Sequence, residues 1–588
     1  MHAEEGEPAG SPFCYIIIFM KIGLAQINPK VGDFNGNKQK ILHALDALKE
    51  AEIVVFPELA LTGYPPEDLL FNRDFLQQSQ QALREIARSV PRNQVVILGA
   101  PEKEGTDLYN SAFLINGGEI VGSHRKVLLP NYDVFDEMRY FKAGTTGTVL
   151  RFANTSVGVV VCEDLWHPDG PAQWAAATGL STLISINASP YEHKKLNNRL
   201  SLLKHLAKSL NVNIVYVNMV GGQDELLFDG ASLVVLNNGD LICSLPFFEE
   251  SLCVADLPVT LKENVTAVLS SKLEEETKVK TISIDAVVSD STQVAQSVMI
   301  PEDDIANLYK GLVFAISEYV HKQGFKGVIV PVSGGIDSAL VAALSVDALG
   351  PDKVKLIYLP TRFNRPESFE DANSLAINLG CTLSVVEIDH ILQTYEEVLR
   401  EKFQKQTFDV ADENLQARIR ANIAFYLSNM TGYLVMSCSN KSESAVGYGT
   451  IYGDMAGGFA PIRDVFKTQV YELARYRNSM KPVIPERTLM REPSAELNVN
   501  QKDQDVLPPY EVLDPLLEDY VVDNLPFAEL ARKYGEEITN KVLRMVKSSE
   551  FKRKQTPVAP KVSRRNFGKG WRMPIVNGFN PDRDTGRE

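Results

Sequence analysis

The chain has 588 residues, 44% of them hydrophobic and 23% charged, with a formal net charge of −15 at pH 7. That length exceeds what one hydrophobic core organises, so two large domains or three smaller ones are expected. Nucleic-acid affinity is largely supplied by Lys and Arg, so an acidic chain predicts no nucleic-acid partner. Six cysteines, at positions 14, 162, 243, 253, 381 and 438, show neither metal-ligand spacing nor the density of a disulfide scaffold, which points to a reducing compartment and a cytoplasmic location.

Residues 1–19 begin acidic, and the apolar run from Phe13 to Met20 is too short to span a bilayer. Neither a signal peptide nor a membrane partner is expected; the stretch reads as a disordered extension, with the fold starting near Met20. From Lys21 onwards Ile22–Ile27 and Ile53–Phe56 are strand-like, a helix-period stretch from Gln39 to Glu50 separates them, and Val95–Leu98 and Ser111–Ile115 follow. This is α/β sequence. Three polar residues stand at strand ends: Glu58 after Val54-Val-Phe-Pro57, Lys126 in His124-Arg-Lys-Val-Leu-Leu-Pro130, and Cys162 closing Val157-Gly-Val-Val-Val161. A thiol nucleophile needs a neighbour that takes its proton and a cation that stabilises charge on the attacked carbonyl, and Glu, Lys and Cys supply those three roles.

Between Leu261 and Ile300 the sequence is rich in Lys, Glu, Ser and Thr and lacks long apolar periodicity, which reads as a linker, part of which could add an edge strand. Pro301 then opens a helix with apolar residues at 305, 308, 312, 316 and 320, stopped by Gly324. It leads into Gly327-Val-Ile-Val-Pro-Val-Ser-Gly-Gly-Ile-Asp-Ser338, a buried strand, a tight loop and the start of a helix running to Leu349. Paired glycines let the backbone close around a ligand while the new helix presents unpaired N–H groups, so the loop is built for an anion, most naturally phosphate. Strands at Val354–Leu359, Thr382–Ile388 and Tyr433–Met436 alternate with helices near Ser368–Leu379 and Leu415–Leu427, the pattern of a parallel sheet that binds ligands at its carboxyl ends. Asn440-Lys-Ser-Glu443 and the glycine-rich Val446–Gly458 come next. Asp337 and Glu443 together offer oxygen ligands for a hard cation such as Mg2+ beside that anion loop.

Phe56-Pro-Glu-Leu59, Arg125-Lys-Val-Leu-Leu-Pro130 and Val161-Cys-Glu-Asp164 together resemble the Glu-Lys-Cys sites of the nitrilase superfamily over roughly Met20 to Leu261. The Ser-Gly-Gly-x-Asp-Ser loop resembles that of the ATP-pyrophosphatase superfamily. With Asn440-Lys-Ser-Glu443, Lys467-Thr468, Pro493-Ser-Ala-Glu-Leu497 and Phe551-Lys-Arg-Lys-Gln555, the resemblance extends to about Asn577 and sharpens to the glutamine-dependent NAD(+) synthetases.

That resemblance implies an extension at 1–19, a nitrilase-like αββα sandwich at 20–262, a linker at 263–300, a Rossmann-like parallel-sheet ATP-pyrophosphatase domain at 301–577 and a tail at 578–588. It implies Glu58, Lys126 and Cys162 as catalytic residues, and Tyr132, Phe135, Glu163, Ser189 and Lys195 as the glutamine site. Pro331, Val332, Ser333, Gly334, Gly335, Ile336, Asp337, Ser338, Cys438, Lys467 and Ser494 would hold ATP. Asn414, Glu443 and Lys552 would hold deamido-NAD, and Asp337 and Glu443 a Mg2+ ion. Cys438 stands where the family often has Thr, and a thiol is the weaker donor. The implied reaction is the ATP-dependent amidation of deamido-NAD with ammonia released from glutamine, by a homo-oligomer. Two rivals stay open: another ammonia-using ligase of the same superfamily, and a nucleotide-binding regulatory protein with decayed sites. The joint presence of Glu58, Lys126 and Cys162 argues against decay.

Overall fold

A computed structural model of the chain describes residues 17–260, 278–284 and 303–579, other than 153, 154, 406 and 500. Most of the expected extension, much of the expected linker, Pro301 and the end of the tail lie outside these residues.

The N-terminal half is two sheets packed face to face. The first runs Ser251–Thr260, Ile17–Gln26, Ile53–Val55, Val95–Glu104, Asp107–Asn116 and Glu119–Arg125 in hydrogen-bonded order. The second runs Leu241–Ser244, Leu233–Val235, Asn213–Asn218, Thr182–Asn187, Ser156–Val161, Gly147–Arg151 and Val279–Ser283. Ile22, Leu24, Val55, Ile97 and Leu114 of one sheet meet Val157, Val159, Val161, Ile184 and Val215 of the other, all fully buried. The outer faces are covered by helices. Phe34–Ala47 and Arg73–Ala87 lie on the first sheet, and Pro171–Ala176 and Lys195–Leu210 on the second, giving the αββα layering.

Two boundaries differ from the periodicity. The first strand is already formed at Ile17, because the β-branched run before Met20 pairs antiparallel with Ser251–Thr260, Ile17 facing Thr260. The first helix spans Phe34–Ala47 rather than 39–50, since the Asp33 carboxylate accepts from Gly36 N at 2.9 Å and caps it earlier. Inside the polar segment at 263–300, Val279–Ser283 forms an edge strand parallel to Gly147–Arg151.

The C-terminal half holds a four-stranded, all-parallel sheet ordered Thr382–Val385, Val354–Tyr358, Val328–Pro331 and Leu434–Val435. Strand order reverses beside Val328–Pro331, so the loops after it and after Leu434–Val435 border one crevice, the place where such sheets take ligands. The helix Asp304–Gln323, ended by Gly324 at φ 78°, joins the halves. Its Leu308 and Leu312 share a core with Tyr191, Leu227, Phe247 and Phe248 of the N-terminal half. Glu318 Oε2 accepts from Asn28 Nδ2 at 2.8 Å and Gly222 N at 3.0 Å. The chain returns near its end: buried Glu225 accepts from Asn566 Nδ2 at 2.7 Å and from Lys569 N at 2.9 Å.

Candidate active sites

Cys162 ends the strand Ser156–Val161 and opens a single turn at Cys162–Leu165 with φ 46°, a left-handed backbone that costs a non-glycine residue of order 1–3 kcal/mol. The turn is tied down by Asp164. One of its carboxylate oxygens accepts from Val127 N at 3.0 Å and Leu128 N at 2.8 Å, and the other from His124 Nε2 at 2.9 Å and Val161 N at 3.3 Å. A single buried side chain thus fixes the Cys162 turn against the segment that carries Lys126.

Lys126 is 1% exposed and donates to Glu58 Oε1 and to Glu137 Oε1, each at 2.8 Å. Glu58 also accepts from Asn110 Nδ2 at 2.7 Å and Ala188 N at 3.0 Å, which aims its carboxylate with donors from three elements. Glu137 accepts a further hydrogen bond from Tyr64 OH at 2.9 Å. Burial opposes the Lys126 charge, but Glu137 and Glu58 outweigh it and hold the ammonium well above its ordinary range. Burial pushes Glu137 up to about 7, with Lys126 working against it and Glu58 adding to it. Burial and then Glu58 push the Cys162 thiol well up, Lys126 offsetting only part. The same burial favours the protonated sulfur over the thiolate.

Tyr132 donates to Glu163 Oε2 at 3.0 Å and packs edge-on against Phe135, ring centroids 5.6 Å apart. Ser189 is buried with its N–H on Asn218 Oδ1, and Lys195 Nζ donates to Pro190 O at 3.2 Å. Burial, then Arg199, lowers the Lys195 pKa. Glu137, Asn110, Tyr64 and Asp164 escape sequence reasoning about roles. Glu137 closes the segment that starts at His124, but a lone acid there carries no motif.

The second site is a cavity of about 550 Å3 over the carboxyl ends of the parallel strands. Pro331, Val332, Ser333, Gly335, Ile336, Asp337, Ser338, Asn414, Cys438, Glu443, Lys467, Ser494 and Lys552 all line it. Gly334 sits behind them at φ 83°, where a Cβ would come within 2.5 Å of Ser368 O, so no other residue lets the loop lie so close to the helix Pro366–Leu379. Asn440 Nδ2 donates to Asp337 Oδ1 at 2.8 Å, and Lys467 Nζ bridges Asp337 Oδ2 at 2.5 Å and Glu443 Oε1 at 3.1 Å. Asn414 accepts from Thr450 Oγ1 at 2.7 Å, and Lys552 Nζ donates to the carbonyls of Gly447 and Gly449, both at 2.9 Å. Cys438 Sγ lies 3.8 Å from Pro331 O, and Ser494 Oγ donates to Gln501 O.

Among the described residues no cluster of three or more His, Cys, Asp or Glu is placed to hold an ion. Two carboxylates fit a Mg2+ that takes its other ligands from phosphates and water. Burial pushes Glu443 up to about 8 against the pull of Lys467, with Asp337 and Asp503 adding to it.

A third cavity, of about 310 Å3, adjoins Glu137. One wall is Tyr64, Phe135, Glu137 and Phe141 and the other is Gly568, Lys569 and Trp571, so both halves of the chain enclose it. No helix among the described residues is long and apolar enough to cross a membrane.

Comparison with known proteins matches residues 21–264 to the carbon-nitrogen hydrolase family and residues 308–556 to the NAD synthase family. The glutamine-dependent NAD(+) synthetase of Aquifex aeolicus is 45% identical over 95% of this chain and 100% of its own, and that of Thermotoga maritima 40% over 95% and 99%. The glutamine-dependent NAD+ synthetase of Acinetobacter baumannii, solved with adenosine diphosphate, superposes with a TM-score of 0.71 at 38% identity, covering 96% of this chain and 99% of its own. The same two-part fold recurs at 21% identity and TM-score 0.79 in a Cytophaga hutchinsonii structure. With both halves matched in order and relatives aligned from end to end, the chain belongs to the glutamine-dependent NAD(+) synthetase family.

Proposed function

We propose that this chain makes NAD from deamido-NAD, ATP and glutamine, releasing ammonia at Cys162 and using it in the cavity over Ser333–Ser338. The observation that carries this is the pairing, on one chain, of a buried lysine held between Glu58 and Glu137 with an anion-binding loop beside two carboxylates. Glutamine lies against Tyr132 and Phe135, its carboxylate toward Lys195. Glu58 takes the Cys162 proton as the sulfur attacks the amide carbon, and Lys126 stabilises the oxyanion. The proton passes to the departing nitrogen, leaving a glutamyl thioester, and water activated by Glu58 then frees glutamate.

In the second site the nicotinate carboxylate attacks the α-phosphorus of ATP, because a free carboxylate is a poor acceptor until its oxygen belongs to a good leaving group. Loop N–H groups and the start of the helix Ile336–Leu349 receive pyrophosphate. Ammonia adds to the acyl carbon, gives up a proton, and AMP leaves. Mg2+ held by Asp337 and Glu443 would neutralise phosphate charge, with Lys467 turning from those carboxylates toward the phosphates. Asn414 and Lys552 would contact deamido-NAD, and Cys438 and Ser494 ATP. The domain limits at 20–262 and 301–577 are part of this reading, as is a cytoplasmic setting, where thiols such as those of the free cysteines stay reduced.

The test supplies deamido-NAD, ATP, Mg2+ and glutamine labelled with nitrogen-15 in its amide, with no added ammonium. Labelled nicotinamide in the NAD formed, matching glutamine consumed, is the expected result. No NAD, or NAD carrying only unlabelled nitrogen, would overturn the reading.

The chain is also read as a homo-oligomer. Tyr426 and Met430, each more than 60% exposed, stand one turn apart on the helix Val410–Thr431 and offer apolar surface that a second copy would cover. Light scattering that finds only the single-chain mass of 65.2 kDa at micromolar concentration would remove this part.

A further inference from the structure

The loop that carries Tyr132 and Phe135 is held from the opposite half of the chain. Asp133, between them, takes the left-handed backbone at φ 49°. Its Oδ2 lies 3.2 Å from Lys561 Nζ, and the same ammonium is 3.9 Å from Glu192 Oε2. Lys561 is 3% exposed. It is also fixed by main chain: its own N–H donates to Glu225 O at 2.6 Å, and the next carbonyl, Val562 O, accepts from His193 N at 2.8 Å. Farther along the same segment, a Cβ on Gly570 would stand 2.3 Å from Asp133 Oδ1. Two independent features of the segment, a buried cation and a bare glycine backbone, therefore converge on one carboxylate in the glutamine loop.

We propose that Lys561 is a positioning residue for the glutamine site: its ammonium neutralises Asp133 and Glu192 and fixes the Tyr132–Phe135 loop, so glutamine binds well only when the synthetase half is docked. The inference deepens the glutaminase reading and rests on it. Without Lys561 the two carboxylates have lost their shared countercharge, and the cheapest relief is for the loop to swing Asp133 toward water. That movement takes the Tyr132 hydroxyl off Glu163 and shifts Phe135, the two side chains that would line the bound glutamine. Displacement of a binding group by about 1 Å is enough to cost up to about a hundredfold in rate.

The experiment compares steady-state kinetics of the full chain with glutamine and with ammonium. Lys561→Met is expected to raise the KM for glutamine about tenfold or more, with ammonium-supported kcat and KM unchanged within about twofold. Lys561→Arg keeps the charge and should recover glutamine KM to within about threefold. Asp133→Asn should act in the same direction, and combining it with Lys561→Met should cost less than the product of the two effects, because both remove one interaction. If Lys561→Met does not fold, Gly570→Ala, which pushes a methyl group at Asp133, serves in its place with the same expected rise in glutamine KM. Wild-type glutamine kinetics in the folded variants, full multiplicativity of the two substitutions, or an equal loss with ammonium would each overturn the proposal. A Cys162→Ala chain that still uses glutamine would instead overturn the underlying glutaminase reading, whatever Lys561 does.

Discussion

Cys162→Ala is expected to lower glutamine-supported NAD formation by at least about a thousandfold, since nothing else at the site forms the thioester. Ammonium-supported formation should stay within about threefold of the parent. The selectivity follows from geometry: the thiol sits in the turn after Ser156–Val161, between the two packed sheets and their helices, whereas the phosphate loop belongs to the four-stranded sheet of the other half. Removing the sulfur leaves Asp164 and its hydrogen bonds in place, so the segment bearing Lys126 keeps its anchor. Parallel assays with the two nitrogen sources read the outcome. A folded variant that still turns over glutamine would show the nucleophile to be elsewhere, and an equal loss with both sources would show that the halves cannot be perturbed separately.

The opposite profile is expected of Asp337→Asn. NAD formation should fall about a hundredfold or more with either nitrogen source, in the range seen when one group stabilising transition-state charge is lost. Glutaminase turnover should persist. Asn preserves the shape, yet removes the charge that pairs with Lys467 and that the proposed Mg2+ would use, leaving Lys467 to pair with Glu443 alone. The concentration of Mg2+ giving half-maximal rate should rise, and a Mg2+ titration measures it. Normal synthesis at limiting Mg2+ would contradict a metal role for Asp337.

What the sequence makes legible divides by distance along the chain. Glu58, Lys126 and Cys162 lie in short peptides whose neighbours carry the signal, and the Ser333–Ser338 loop is written in consecutive residues, so both sites can be located without coordinates. Glu137 is different. What sets it apart is that it shares the buried Lys126 with Glu58, and an acid placed eleven residues after a lysine is ordinary until burial is known. An edge strand within the polar stretch after Leu261 is foreseeable, but its place at Val279–Ser283 is not, because an edge position needs little apolar sequence; its partner strand supplies the pairing. Least legible is the return of residues 561–571 onto the N-terminal half, where the contacts are charges and main-chain groups with no periodicity to find.

Glu225 bears on modularity. A chain assembled from two recognisable family members invites dissection into interchangeable parts, and the apolar packing beneath Asp304–Gln323 alone would tolerate such surgery if its face were made polar. Glu225 does not. It is 7% exposed, and its carboxylate is satisfied by Asn566 and the Lys569 N–H, so cutting the halves apart strips a buried anion of its donors on one side and deletes part of the cavity wall beside Glu137 on the other. The two families can be told apart in sequence, but in space they have become one scaffold, and a graft of either half onto a foreign partner would have to bring this segment with it.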